Sequence, residues 1–442
     1  MRIRFDESLP ELVRIVATSV GADVLARSIF LRDATGYLSV VIDDELTDQA
    51  VVNLTADVEA GIGPYAREDG VIRDRSGPGS LRLLAAQDAA YVQVGDRTIR
   101  FVDRRMVGAD WLLPPAQLQG VQRIAFASIK GGVGRSTALA VTAAHLSARG
   151  LRVLAVDLDL EAPGIGSMLL SEAAMPTYGS LDYLVENGIS QIDEEFLENV
   201  AAKSTLGGGG GQVTVVPAFG RATLDRPAGG LAKIARAYLE DVTPEGTISL
   251  TEQVREMVER LEGAGSYDVT LIDARAGLHE TTAAVLLGLS AETLLFGIDE
   301  PQTFHGYRLL MAHLASRRPQ GLDAWKERLQ FVHAKAPFAS ADRIDAARRF
   351  RELLAVFQPV PTGGDEDTEL TANDFDVEWG DGGAEVDEIL SDDTPVIPIL
   401  DDPRYRGFDP IRQPDLLNSE VFLATFWPLL DWAEHIAIGS DK

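Results

Sequence analysis

Apolar and polar positions along the chain follow two successive patterns. Up to about residue 118 the segments are short and mixed in type. An opening helix from Leu9 to Val20 leads into strand-like SIFLRD and YLSVVID, then a helical stretch near Thr47–Gly61. AYVQVGD and TIRFVDRR follow, with Gly95-Asp96 as a hairpin signal. This pattern predicts a small α+β domain over 1–118. The run Leu113-Pro114-Pro115 marks its boundary, because tandem prolines continue neither a helix nor a central strand.

From Arg123 the pattern changes to near-continuous apolar strands separated by helices: RIAFASI, RVLAVDLD, QVTVVPAF, DVTLIDA, ETLLFGID and LQFVHAKA. Helices are expected near Ser136–Arg149, Thr251–Leu261, Gly306–Ala315 and Ala341–Phe357. Strands that are apolar throughout are buried on both faces, so 119–442 reads as a doubly wound, mostly parallel α/β sheet. Two stretches interrupt it. Gly207–Gly211 reads as a surface loop. Residues 363–402 carry fifteen Asp and Glu and no Lys or Arg, and they read as an acidic insertion with too little apolar area to offset its ordering entropy. PVIPIL and an apolar helix over Val421–Trp432 are expected to resume the domain.

Charge and composition narrow the chemistry. A net charge of −28 argues against broad nonspecific coating of DNA, whose phosphates call for a basic face. The absence of cysteine removes disulfides, thiolate metal sites and cysteine nucleophiles, and fits a cytoplasmic setting. No stretch reaches the roughly 18 apolar residues of a membrane span, and the N-terminus has no leader-like apolar core. The six histidines show no ligand spacing, and no G-x-S-x-G elbow is present. The terminal helix carries acids and few basic residues, which favours core packing over an anionic lipid surface.

One motif carries the chemistry. RIAFASI is followed by Lys130-Gly131-Gly132-Val133-Gly134-Arg135-Ser136-Thr137 and then a helix. In a strand–glycine loop–helix, backbone N–H groups point inward at an anion and the helix dipole adds to the attraction. Ser136 is placed for magnesium, and Thr137 for a phosphate oxygen. Two further strand ends bring acids to the same edge: Asp157 and Asp159 in VLAVDLDLEAPG, and Asp273 in YDVTLIDARAG. Carboxylates there suit a cation and a polar acceptor.

With these residues in view, the chain from about Arg123 onward resembles the ParA/MinD family of P-loop NTPases with a deviant Walker A motif, KGGxGK[ST]. The resemblance implies ATP and Mg2+ as ligands, with Gly131, Gly132, Val133, Gly134, Arg135, Ser136 and Thr137 as the nucleotide cradle. It also implies that Lys130 reaches across an ATP-dependent homodimer and that Asp159 orients the attacking water. Ser136, Asp157 and Asp273 then stand at the metal. Arg135 departs from the family's lysine; it keeps the charge but is bulkier and planar, which places hydrolysis rate in question more than binding. Arg275 and Gly277 form a D-x-R-x-G pattern in which Arg275 has three open readings: phosphate contact, partner contact or structural ion pair. Glu161 has an open role, and His333 with Lys335 falls where the family's base-contacting strand ends. The expected function is a dimerising ATPase switch coupled to a protein partner through residues 1–118. The rival expectation is an ATP-sensing regulator or adaptor with negligible turnover, for instance in a bacterial stress or antiphage pathway.

Overall fold

The computed structural model describes residues 3–439 apart from 87–88, 118–119, 191, 207–209, 244–245, 318–320 and 358–395. The chain divides into two compact units, the first built mainly on Met1–Ala109 and the second on Asp110–Met311, Gln320–Val356 and Leu390–Lys442.

In the first unit the strands Ile29–Arg32 (β1), Leu38–Val41 (β2), Ile72–Arg73 (β3), Ala90–Val94 (β4) and Arg97–Asp103 (β5) form one mixed sheet in the order β3-β2-β1-β5-β4. The expected hairpin is present: β4 and β5 are antiparallel, and Gly95 in their turn takes a left-handed φ of 57°. Helices Phe5–Val20 and Asp48–Ile62 contribute Leu12, Val13, Val16, Leu54 and Val58 to the core, packed with Phe30, Val40 and Ile99. Thr47 caps the second helix by accepting from the Ala50 N–H at 3.3 Å, which satisfies one of the donors a helix start leaves unpaired.

The second unit holds Gln122–Ser128 (β6), Arg152–Asp157 (β7), Ala202–Lys203 (β8), Gln212–Val216 (β9), a two-stranded hairpin of Asp241–Thr243 (β10) and Gly246–Ile248 (β11), then Val269–Ala276 (β12), Glu292–Gly297 (β13), Leu329–Ala336 (β14) and Ile397–Leu400 (β15). Eight of these make one sheet in the order β15-β14-β13-β6-β12-β7-β9-β8, with every pairing parallel except β8 against β9. The expected strands are therefore neighbours in one buried parallel sheet. Helix Arg135–Ala148 covers one face together with Ser419–Ile438, whose Phe422, Phe426, Leu429 and Leu430 join Phe126, Leu139 and Val141 in the core. The last helix is thus a core element. Among the described residues no helix is long and apolar enough to cross a membrane.

Two sequence boundaries move. The division between units falls at Ala109–Asp110, ahead of the tandem prolines, because the intervening residues are anchored in the second unit. There the Asp110 carboxylate accepts from the Thr251 N–H at 3.0 Å, the Trp111 indole donates to the Leu278 carbonyl at 3.3 Å, and the Ala116 N–H donates to the Leu287 carbonyl at 2.7 Å. The expected acidic insertion lies outside the described residues up to 395, and PVIPIL resumes the domain as expected, which moves the insertion's end back from 402. Ile397–Leu400 pairs with β14 as the edge of the sheet, since its alternating apolar residues outweigh the acids on either side.

Candidate functional site

The C-terminal ends of β6, β12 and β7 lie side by side in the middle of the sheet, and Asp273 and Asp157 are register partners there. Gly132 and Gly134 take left-handed φ values of 74° and 93°, which a side chain resists, and so the chain turns tightly from β6 into helix Arg135–Ala148. A Cβ placed on Gly131, Gly132 or Gly134 meets nothing within 4 Å, so open space stands before the bare backbone. An anion can approach the N–H groups of the loop there, as phosphate requires. The loop lines a cleft of about 780 Å³.

Beneath the loop, one guanidinium ties the acids together. Arg135 donates through Nε to Asp273 Oδ1 at 2.5 Å, through Nη1 to Ser128 Oγ at 3.0 Å and through Nη2 to Asp159 Oδ2 at 2.9 Å. Its side chain is 8% exposed, so these are buried, charge-assisted bonds. The Ser136 hydroxyl donates to Asp273 Oδ2 at 2.6 Å, so the residue expected at the metal already touches the strand-end acid. Burial pushes the Asp273 carboxyl upward against the opposing pull of Arg135 and Ser136.

The expected site residues separate into three groups. Asp159, Ser128 and Gly131 through Thr137 face the cleft together, and Arg135, although it lines the cleft, turns its charge toward the carboxylates. Asp157, expected beside the metal, is fully buried, and its oxygens accept from the N–H groups of Asp159, Gly164 and Ile165 at 3.0, 3.1 and 3.1 Å. It shapes the turn after β7 and, like the equally buried Asp273, does not line the cleft, but unlike Asp273 it makes no bond to Ser136; desolvation pushes its carboxyl up to about 8. Lys130, expected to reach another subunit, pairs within the chain with Glu300 Oε2 at 2.8 Å, and both side chains are partly exposed.

His333 corrects another expectation: it is buried in β14 beside Phe350, does not line the cleft, and burial lowers its pKa. Lys335 does line it, and its Nζ donates to the Gly132 carbonyl at 2.8 Å from a backbone with φ of 51°. Glu161 and Arg275 also line the cleft and pair with each other at 2.6 Å.

The far wall was missed by sequence reasoning. Leu400, which ends β15, lines the cleft with Asp401, Asp402 and Tyr405 to Phe408, and Thr425 and Phe426 line it too. Asp402 bolts this turn in place, accepting from the Arg404 N–H at 3.0 Å, the Arg404 guanidinium and the Thr425 hydroxyl at 2.7 Å. The Tyr405 ring packs edge-on against Phe426 at 4.9 Å. Aromatic residues directly after an apolar strand, in PVIPILDDPRYRGF, were the available signal, and the surrounding acids concealed it.

Among the described residues no cluster of three or more metal-ligating side chains stands ready for an ion. The Ser136 hydroxyl and the Asp273 carboxylate, already in contact, are oxygen donors of the kind magnesium takes, and they would hold such an ion.

Residues 120–199 match the family model described as ParA: NUBPL iron-transfer P-loop NTPase. The match spans the loop, its helix and the Asp157–Asp159 strand end. Among solved structures the chain is similar to the MinD cell division protein of Aquifex aeolicus at 16% identity, covering 73% of this chain and 99% of that one with a TM-score of 0.42. It is similar to apo McdA of Cyanothece at 13% identity, over 72% of this chain and 100% of that one with a TM-score of 0.44. The cell division ATPase MinD of Pyrococcus furiosus is 20% identical over 71% of this chain and 99% of that one, with a TM-score of 0.40. No curated protein matches the chain. The loop-bearing segment is thus similar to the ParA family model over residues 120–199, within a mostly parallel α/β sheet.

Proposed function

We propose that the second unit binds ATP with Mg2+ and hydrolyses it to ADP and phosphate, and that this cycle closes and opens a homodimer. The observation that carries the reading is that the glycine loop, Ser136 and Asp159 line one cleft, with the Ser136 hydroxyl donating to the buried Asp273 behind it. The phosphates lie against the loop N–H groups, and Thr137 donates to a phosphate oxygen. Ser136 and Asp273 would hold the magnesium ion, which when bound neutralises charge on the phosphates. Asp159, freed from Arg135, orients a water whose oxygen attacks the terminal phosphorus as the bond to the bridging oxygen breaks. Asp157 takes no part at the metal; it holds the turn that carries Asp159. The wall from Leu400 to Phe408 receives the base, with Tyr405 and Phe408 as its flat apolar surfaces. Lys130 leaves Glu300 to meet the nucleotide of the second subunit, and the first unit, Met1–Ala109, binds the partner that reads the cycle.

A second reading has its own observation. Arg135 holds Asp159 and Asp273 at once, so the resting site is locked, which favours an ATP sensor with negligible turnover. Phosphate-release assays decide between the two. Under the switch reading Asp159→Ala abolishes hydrolysis and leaves an ATP-stabilised dimer by light scattering. Equal, near-zero rates for both proteins would establish the sensor instead.

A further inference from the structure

Arg275 lies two residues past Asp273, at the end of β12, and lines the cleft with the glycine loop. Its Nη2 donates to Glu161 Oε2 at 2.6 Å, while its Nη1 is buried and meets no acceptor. The backbone on either side is fixed: the Arg275 carbonyl accepts from the Thr282 hydroxyl at 3.0 Å, and the Gly277 N–H donates to the Ser128 carbonyl at 2.8 Å. Glu161 is braced by the Tyr238 hydroxyl at 3.2 Å, and the Tyr238 ring packs on His279 at 4.7 Å between centroids. The guanidinium is therefore held in place with Nη2 engaged and Nη1 idle.

An idle buried donor is disfavoured, because it has given up water and gained nothing. The other cations around the cleft are engaged. Arg135 serves Ser128, Asp159 and Asp273; Lys335 serves the Gly132 carbonyl; Arg406 pairs with Asp401 at 2.9 Å. Among the described residues lining the cleft, Nη1 of Arg275 is the buried side-chain donor left without an acceptor. The ligand it awaits is an anion, since a planar guanidinium fork matches phosphate geometry.

Resting on the nucleotide-binding reading, we propose that Arg275 donates from Nη1 to an oxygen of the terminal phosphoryl group of a bound nucleoside triphosphate, with Glu161 as the carboxylate that aims it. The same chain thereby supplies the positive charge that Arg135 withholds. The site then distinguishes triphosphate from diphosphate, because ADP offers no oxygen at that position. An arginine so placed also steadies charge as the phosphoryl group is transferred.

The test measures binding of fluorescent ATP and ADP analogues with Mg2+ to the full-length protein and to its Arg275→Ala, Arg275→Lys and Glu161→Gln variants, alongside turnover. The proposal expects Arg275→Ala to keep ADP affinity and lose ATP affinity about 10- to 100-fold, the loss of one charge-assisted hydrogen bond. Arg275→Lys recovers part of that loss. Glu161→Gln keeps most of the ATP preference, since the guanidinium remains. Equal falls for Arg275→Ala and Glu161→Gln, or equal losses of ATP and ADP, overturn the proposal by making Arg275 a tie between two loops. An unchanged ATP-to-ADP ratio in Arg275→Ala also overturns it. Failure of the wild-type protein to bind either analogue overturns the nucleotide reading itself, a distinct result. If Arg275→Ala melts below the assay temperature, the Lys variant and Arg275→Gln decide on the same ratio.

Discussion

At the scale of single residues, the deciding contact is the one between Arg135 and two carboxylates. One buried cation here compensates two carboxylates in part, and removing it leaves both without a cationic partner in a dry environment. Arg135→Ala is therefore expected to lower stability by about 3–5 kcal/mol in urea unfolding. Arg135→Lys keeps the charge without the fork that reaches both acids, so it should destabilise less. It should also leave Asp159 less restrained, and under the switch reading its turnover equals or exceeds that of the wild type. A rate well below wild type with normal ATP binding would show that the guanidinium itself assists the reaction. The eight-residue motif made the phosphate loop legible in the sequence, because glycine spacing alone specifies such a turn. The direction of Arg135 was not legible. It depends on Asp159 and Asp273, 24 and 138 residues away, closing on it in the fold.

At the scale of elements, strand identity was readable wherever apolar residues ran without interruption, as in β6, β7, β12, β13 and β14. The strand β15 was anticipated in PVIPIL, whereas the turn after it was hidden, since its residues stand beside a long acidic run. What fixes the turn is local. The Arg404 hydrogen bonds hold the Asp402 carboxyl down to about 2, well below an ordinary aspartate. A carboxyl whose pKa is depressed by folding stabilises above its unfolded value, near 3.9, and this contribution is lost as pH falls toward 2. The difference in melting temperature between wild type and Asp402→Asn should thus be fully present at pH 6 and shrink progressively below pH 4. A constant difference across that range would mean that Asp402 acts through shape alone. The same variant should weaken nucleotide binding at neutral pH, because Asp402 anchors the wall to Thr425.

At the scale of the whole molecule, the expected dimer turns on whether Lys130 can leave its own chain. Its pair with Glu300 is solvent-accessible on both sides, and such pairs contribute about 0–1 kcal/mol. Release is therefore a small barrier to assembly. Light scattering with ATP and Mg2+ should show Lys130→Ala monomeric where the wild type is dimeric. Glu300→Gln should dimerise at least as readily, with a dissociation constant lowered by no more than about fivefold. Weaker dimerisation of Glu300→Gln would instead place Glu300 in the interface. The parallel sheet of the second unit was anticipated from the succession of strands and helices; its order, with β6 between β13 and β12, was not, because strand order is decided by how crossovers pack and leaves no local mark.

The cleft joins a loop ending at Thr137 to a wall ending at Phe426, so its two sides are synthesised far apart in time. At about 5–20 residues per second, the ribosome makes the wall roughly 15 to 60 s after the loop. Throughout that interval the nascent chain carries a phosphate loop with no opposite face. On the nucleotide-binding reading proposed above, ATP meets a half-built site before a closed one, and secure holding awaits synthesis of the helix that carries Phe426.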